Sequence, residues 1–480
     1  MKLRIEYRKA IKTALKALEY VKINRIQSET KPVSHLRVYL ELAPEEASFI
    51  RVEMRLPEDW NGRFIGYGNG GMAGNLPTDA LLRAVQDGCA AVTTDMGPSR
   101  GKESGILCPA VWRDFGHRAT HLMTVVGKAV VSAAFGDNPS RSVFYGGSTG
   151  GEQALSLAER YPDDYDAIFC GAPANNRICL HTYFMWNASH LKNARRVPLF
   201  DEDTAVAIHE KAIAFAQAHG DGEPGDRFVS FPIGDADYLD EFIDQTVREL
   251  NLTDEQKVAL QAVYHGPIHA VSGKRIYNGL PLGSELYSCG LLDASQIRLI
   301  GVNYPFYWGL GADIDPLALD FGADFDRVFE QLSPEMDATT ADLSAFFARG
   351  GKLLMVSGSA DACVPWQDAW SYARRVEQAT DREILEKSFR FYLAPSIDHS
   401  IAGGSSEFIV TPDGRDLLTL LFDWADGGEA PQSMKVFVAG FGEKSRRERM
   451  ISPLVPSDGS ILPIPPTADE CFLQKQPLNR

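Results

Sequence analysis

A serine stands in a glycine-rich turn at residues 146–150, Gly146-Gly147-Ser148-Thr149-Gly150, with the spacing G-x-S-x-G. Before it, Ser142, Val143, Phe144 and Tyr145 form a short β-favouring run. After it, Gln153, Ala154, Leu155, Leu157 and Ala158 recur with helical spacing up to Arg160. Strand, sharp turn and helix together present a serine hydroxyl as a nucleophile. Gly146 and Gly150 let strand and helix approach without a Cβ clash. The helix N-terminus points free N–H groups and a positive dipole end at a developing oxyanion. Ser148 is therefore assigned as nucleophile; the competing reading, a glycine-rich turn without chemistry, is disfavoured by the flanking elements.

A serine hydroxyl needs a base to take its proton, and the base needs a carboxylate to hold its tautomer. In a sheet of this kind the partners come from loops after later strands, in the order serine, acid, histidine. Nine of the ten histidines precede residue 352, where a later strand-like run, KLLMV, begins; His399 alone follows it, after the strand-like FRFYLA at 389–394. The acid is Asp361, just past KLLMV. Its rivals are Asp368, expected on a helix facing away, and Asp398, whose side chain should diverge from its neighbour His399.

A second informative stretch is DWNGRFIGYGNGGMAGN at 59–75. A glycine-rich loop after an early strand can bring a backbone N–H to an ester carbonyl oxygen, and Gly70 or Gly71 is the candidate. The competitor is a phosphate loop, since Gly66, Gly68 and Gly71 spell G-x-G-x-x-G. No following strand supplies a well-placed ribose-binding acid.

The elements that must position these groups alternate. Strand-like runs at 64–65, 90–94, 142–145, 167–170, 352–356 and 389–394 are separated by helical stretches, including 118–135. This alternation predicts a mainly parallel α/β sheet. Residues 36–41 and 48–55 alternate as antiparallel edge strands, and 4–21 reads as a basic amphipathic helix packed on the body. From 178 to 335 the alternation stops. Helices are expected at 204–218, 236–250 and 254–264, the last capped by Thr253. Tyr183, Phe184, Trp186, Tyr304, Phe306, Tyr307 and Trp308 are mostly core aromatics, with two or three expected at a substrate. Lys274, Arg275 and Glu285 read as solvated charges rather than ligands. The division is 1–177, an insertion at 178–335, and 336–480, with a helix at 416–425 and irregular chain after about 440.

The chain has 480 residues, 44% of them hydrophobic, and a formal net charge of −16. That charge repels phosphates and argues against nucleic acid or an anionic membrane as partner. No run of about 18 apolar residues supports a membrane span. Seven scattered cysteines, without a C-x-x-C pair, read as reduced thiols. With no apolar secretion core near the start, the expected location is cytoplasmic.

Seven blocks together resemble the tannase and feruloyl esterase family of α/β-hydrolases. They are DWNGRFIGYGNGGMAG, DFGHRATH (114–121), FYGGSTGGEQAL, YPDDYDAIFCGAPA (161–174), YNGLPLGSE (277–285), LSAFFARGGKLLMVSGSAD (343–361) and the loop around His399. The resemblance implies ester hydrolysis through an acyl-enzyme, with Ser148 as nucleophile, Asp361 as acid and His399 as base. It implies an oxyanion hole made by the N–H of Thr149 and a glycine of the 68–71 loop. The insertion would be a lid domain holding the aromatic acid.

Three departures stand out. The family's cysteines before the serine and after the histidine, joined by a disulfide, are here Gly147 and Ser400. The calcium loop D-x-x-D-G-x-x-D is here AHGDGEPGD at 218–226, with only Asp221 and Asp226 near the pattern, so no calcium is expected. The secretion signal common in the family is not expected here, since residues 1–24 carry no uninterrupted apolar core. The expected activity is that of a serine esterase on ferulate-, caffeate- or gallate-type esters, without cofactor or metal. An acyltransferase, a peptidase or an inert binding protein are the alternatives, and a homo-oligomer is left open.

Overall fold

The computed structural model describes residues 2–98, 101–232, 234–295, 303–315 and 317–457. Nine strands make one sheet: β1 (Val21–Glu29), β2 (His35–Leu42), β3 (Ile50–Pro57), β4 (Arg63–Tyr67), β5 (Ala90–Thr94), β6 (Arg141–Gly147), β7 (Ala167–Gly171), β8 (Lys352–Gly358) and β9 (Phe389–Ala394). Their spatial order is β1-β2-β3-β5-β4-β6-β7-β8-β9. The pairs from β1 to β5 are antiparallel, and those from β5 through β9 are parallel. The sheet is α/β as expected, with an antiparallel wing.

Side-chain pattern explains the two halves. In β2, Leu36, Val38, Leu40 and Leu42 are buried and alternate with half-buried residues, as a strand with one wetter face requires. In β7 and β9 every residue is buried, because helices cover both faces of a parallel sheet.

The order reverses at β4, whose neighbours are β5 and β6. The chain leaves β4 through the helix Thr78–Gln86 to β5, then returns through the helix Ala119–Phe135 to β6 on the other side. The loops after β4 and β6 therefore open side by side at the carboxyl ends of the strands, the usual crevice of such sheets.

Between β7 and β8 no named strand occurs among the described residues. This segment holds the helices Arg177–His190, Glu202–Ala218, Ala236–Leu250, Asp254–His265, Leu291–Ser295, Tyr304–Leu310, Ala323–Met336 and Ser344–Ala348. Thr253 and Gln256 form a reciprocal capping box at the start of Asp254–His265. Tyr183, Phe184, Tyr304, Phe306 and Trp308 are buried in an apolar core that this segment shares with Met96, Val111, Trp112, Phe115, Ala362 and Val364.

Two expectations are corrected. The first helix runs Lys2–Leu15 rather than to residue 21, where β1 has begun; Ile11 and Leu15 are buried in the sheet's core. The chain after 440 is not all irregular. β10 (Ile409–Val410), β11 (Met434–Val438) and β12 (Arg447–Ile451) form a small antiparallel sheet. β12 reads RERMI, too short and charged to signal a strand, and pairing with β11 supplies what its pattern lacks. Cys471 and the tail from 458 lie outside the described residues.

Candidate active site

Ser148 follows β6, Asp361 follows β8 and His399 follows β9, so three strand ends deliver them to one place. His399 Nε2 lies 3.0 Å from Ser148 Oγ, and His399 Nδ1 lies 2.7 Å from Asp361 Oδ2. A carboxylate only accepts, so in the neutral imidazole Nδ1 carries the proton and Nε2 turns its lone pair to the serine. Asp361 is fully buried, and its other oxygen accepts from the N–H groups of Cys363 (2.9 Å) and Val364 (2.8 Å). Its rivals point elsewhere: Asp368 accepts from Asn176, and Asp398 caps its own turn through the Ser400 N–H.

Ser148 has φ +59° and ψ −119°, a conformation that L-residues rarely adopt. It is held there by its N–H to the Gly171 carbonyl (2.8 Å) and by its carbonyl, which accepts from Gly151 (2.9 Å) and Ala174 (3.0 Å). Backbone strain fixed by surrounding bonds is a mark of functional sites.

Burial lowers the His399 pKa, but the Asp361 carboxylate beside it raises it more, leaving it at about 9. The imidazolium is thus favoured at neutral pH, and the neutral form that can accept the serine proton takes over above about 9.

The oxyanion candidates separate by their partners. The Gly70 N–H donates to Asn69 Oδ1 at 2.9 Å and is turned away from the role. The Gly71 N–H has no acceptor among the described residues, and Gly71 sits at φ +57° with open space beside it. The Thr149 N–H is the first of the helix Thr149–Arg160, one of those a helix leaves without an internal acceptor. Thr149 Oγ1 also donates to the Gly71 carbonyl at 2.5 Å, tying the two loops together.

Sequence reading missed the groups behind this pair. Arg177, almost fully buried, donates to Thr149 Oγ1 and to Glu152 Oε2, each at 3.2 Å. Burial pushes the Glu152 carboxyl up to about 8 despite that guanidinium. Gln153 Oε1 accepts from the Asn69 N–H at 2.7 Å, so the nucleophile helix also grips the loop after β4. Arg177 lies outside the serine motif, and no local spacing signals its approach.

The position of the missing disulfide has a physical substitute. A Cβ on Gly147 would lie 1.8 Å from the Ala402 carbonyl oxygen, so the histidine loop packs directly on this glycine. Gly147→Ala should push that loop outward. Steady-state kinetics should show kcat/KM lower by about 10–100-fold, the scale of a misplaced catalytic group, with a lower melting midpoint. Unchanged values for both would mean that the contact has no role.

The degenerate calcium stretch is also engaged by the protein itself. Asp221 accepts from the N–H groups of Ser230 and Phe231. Asp226 accepts from Arg447 at 2.9 Å and from Arg449 at 3.1 Å. No group of three or more His, Cys, Asp or Glu side chains is placed to hold a metal among the described residues. Glu285 is not a solvated charge: it is fully buried and accepts from His209 (2.7 Å), Tyr264 (2.8 Å) and the Gly283 N–H (2.8 Å). Burying a carboxylate demands such partners, and spacing alone did not reveal them.

The family model "Tannase and feruloyl esterase" matches residues 36–292 and 310–455. The chain is 28% identical over 417 residues to "Probable feruloyl esterase B" of Aspergillus niger, covering 83% of this chain and 78% of the relative. Feruloyl esterase B of Aspergillus niger is 26% identical over 421 residues, with the same coverage. Among solved structures, feruloyl esterase B from Aspergillus oryzae superposes with a TM-score of 0.77 at 23% identity, covering 92% of this chain and 95% of that one. Tannin acyl hydrolase from Aspergillus niger gives a TM-score of 0.70 at 18% identity, covering 93% and 91%. At these identities the likeness shows the fold, an α/β-hydrolase. The family match extends across both halves of the sheet and most of the insertion, and the chain belongs to the tannase and feruloyl esterase family.

Proposed function

We propose that this carboxylic ester hydrolase cleaves esters of hydroxycinnamic or gallic-type acids through an acyl-enzyme on Ser148. The observation that carries the mechanism is the imidazole of His399 bridging Ser148 Oγ and Asp361. Ser148 Oγ attacks the ester carbonyl carbon while His399 Nε2 takes its proton. The tetrahedral oxyanion is held by the N–H groups of Thr149 and Gly71. Collapse expels the alcohol, which receives the proton from His399. Water then attacks the acyl-enzyme with His399 as base, and the acid leaves.

The choice of an aromatic acid is supported by the names of the relatives. Aromatic content lends it less support, because the rings of the insertion largely bury one another. The insertion acts as a lid over the site in this reading. The enzyme works in a reducing, cytoplasmic setting, in keeping with the six described cysteines, all free.

The test is a panel of methyl ferulate, methyl caffeate and methyl gallate against p-nitrophenyl acetate and butyrate. At least one phenolic ester should exceed both aliphatic esters in kcat/KM. Faster turnover of the short aliphatic esters than of every phenolic ester would overturn the aromatic preference.

A further inference from the structure

Two cysteines meet beside the buried acid. Cys363 lies two residues after Asp361, to which its own N–H donates. Cys289 belongs to the insertion, just before the helix Leu291–Ser295, where its N–H donates to Asp293. The Cys363 thiol donates to the Ser288 carbonyl at 3.3 Å, which seats it against the backbone directly before Cys289. Both thiols are free, Cys289 buried and Cys363 half-exposed. A second contact joins the same two segments: the Tyr183 hydroxyl donates to the Ala362 carbonyl at 2.9 Å. The loop carrying Asp361 is thus seated on the insertion through the residues that directly follow the acid.

We infer that Cys289 and Cys363 are a redox-convertible pair whose disulfide staples the insertion to the acid loop. The oxidant is a small peroxide. The Cys363 sulfur attacks one peroxide oxygen, the O–O bond breaks, and a sulfenic acid and one water form. The Cys289 sulfur then attacks the sulfenic sulfur, forming the S–S bond and releasing a second water with the remaining thiol proton. Each sulfur is oxidised by one electron, and hydrogen peroxide is reduced to two waters.

The neighbouring Cys289 and burial hold the Cys363 thiol well above its ordinary range. Little thiolate is present at neutral pH, so oxidation proceeds slowly and needs sustained peroxide. The bond closes a loop of about 75 residues, long enough to restrict the unfolded chain strongly. It stands in a different place from the family's disulfide, whose positions here are Gly147 and Ser400.

The purified full chain is incubated with hydrogen peroxide or with dithiothreitol, digested without reduction and mapped by mass spectrometry. The expected result is a linked peptide pair containing residues 289 and 363, two hydrogens lighter than the two thiol peptides. The melting midpoint should rise by a few degrees and fall back on reduction. Cys289→Ser should keep basal turnover within about twofold while losing both the linked peptide and the peroxide-induced rise. Conversion of Cys363 to a sulfinic acid, a link to another cysteine, or a rise that persists in Cys289→Ser would each overturn the inference. Mapping reads the bond directly, so a failure of the esterase reading leaves this test intact.

Discussion

Ser148→Ala is expected to lower kcat by about 10⁴–10⁶-fold on any ester the wild type cleaves. The circular dichroism spectrum and melting midpoint should stay close to wild type. The reason is geometric. Ser148 Oγ is the atom that His399 Nε2 approaches at 3.0 Å, and alanine leaves the base with nothing to activate. The turn itself should survive, because the bonds that hold it run through the backbone of residue 148 to Gly171, Gly151 and Ala174. Residual rate over background should come from the oxyanion donors and substrate binding, which the substitution leaves in place. A fluorophosphonate should label wild type at Ser148 and leave the variant unlabelled. Retention of a tenth or more of wild-type turnover would remove Ser148 from the role of nucleophile.

The second large effect lies in pH. Only neutral imidazole can take the serine proton. With the His399 pKa at about 9, kcat/KM should climb about tenfold per unit toward that value and level off above it. Asp361→Asn removes the carboxylate that raises this pKa most and leaves burial, the largest influence, which lowers it, against the smaller raising effects of Cys363 and Asp398. The acid limb should then move below about 6.5, the ordinary histidine value. The plateau should fall by about 10⁴-fold, since the imidazole loses the partner that holds its tautomer and stabilises its charge. An acid limb that stays near 9 in Asp361→Asn would exclude Asp361 as the cause.

Stability runs the other way. A folded-state pKa above the unfolded value means that the His399–Asp361 pair contributes stability that is fully present below about 6.5 and lost as pH rises through about 9. The contribution of this pair therefore favours activity on the alkaline side and stability on the acid side, so rate and melting profiles separate it from global unfolding.

Much of this protein can be read along the chain, because its signals are local. The strand–turn–helix around Ser148 is written in residues 142–160, where β-favouring side chains, glycines and helical spacing follow one another directly. The order serine, acid, histidine is likewise linear, and it led to Asp361 and His399 without coordinates. The alternation of strands and helices likewise announced the parallel part of the sheet.

Charge and proximity across the chain obeyed no such spacing. Glu285 looks like a solvated carboxylate until His209 and Tyr264 are seen to bury it. Arg447 and Arg449 hold Asp226 from a strand more than 200 residues further along the chain. Gly70 and Gly71 are equivalent in sequence, and the Asn69 side chain separates them by taking one N–H and leaving the other. The pairing of Cys289 with Cys363 and the support of Thr149 by Arg177 likewise join segments that spacing does not connect. Backbone preference and hydrophobic period act over a few residues and are written in order. Hydrogen bonds, burial and electrostatic shifts depend on distance in space, which the folded chain alone decides.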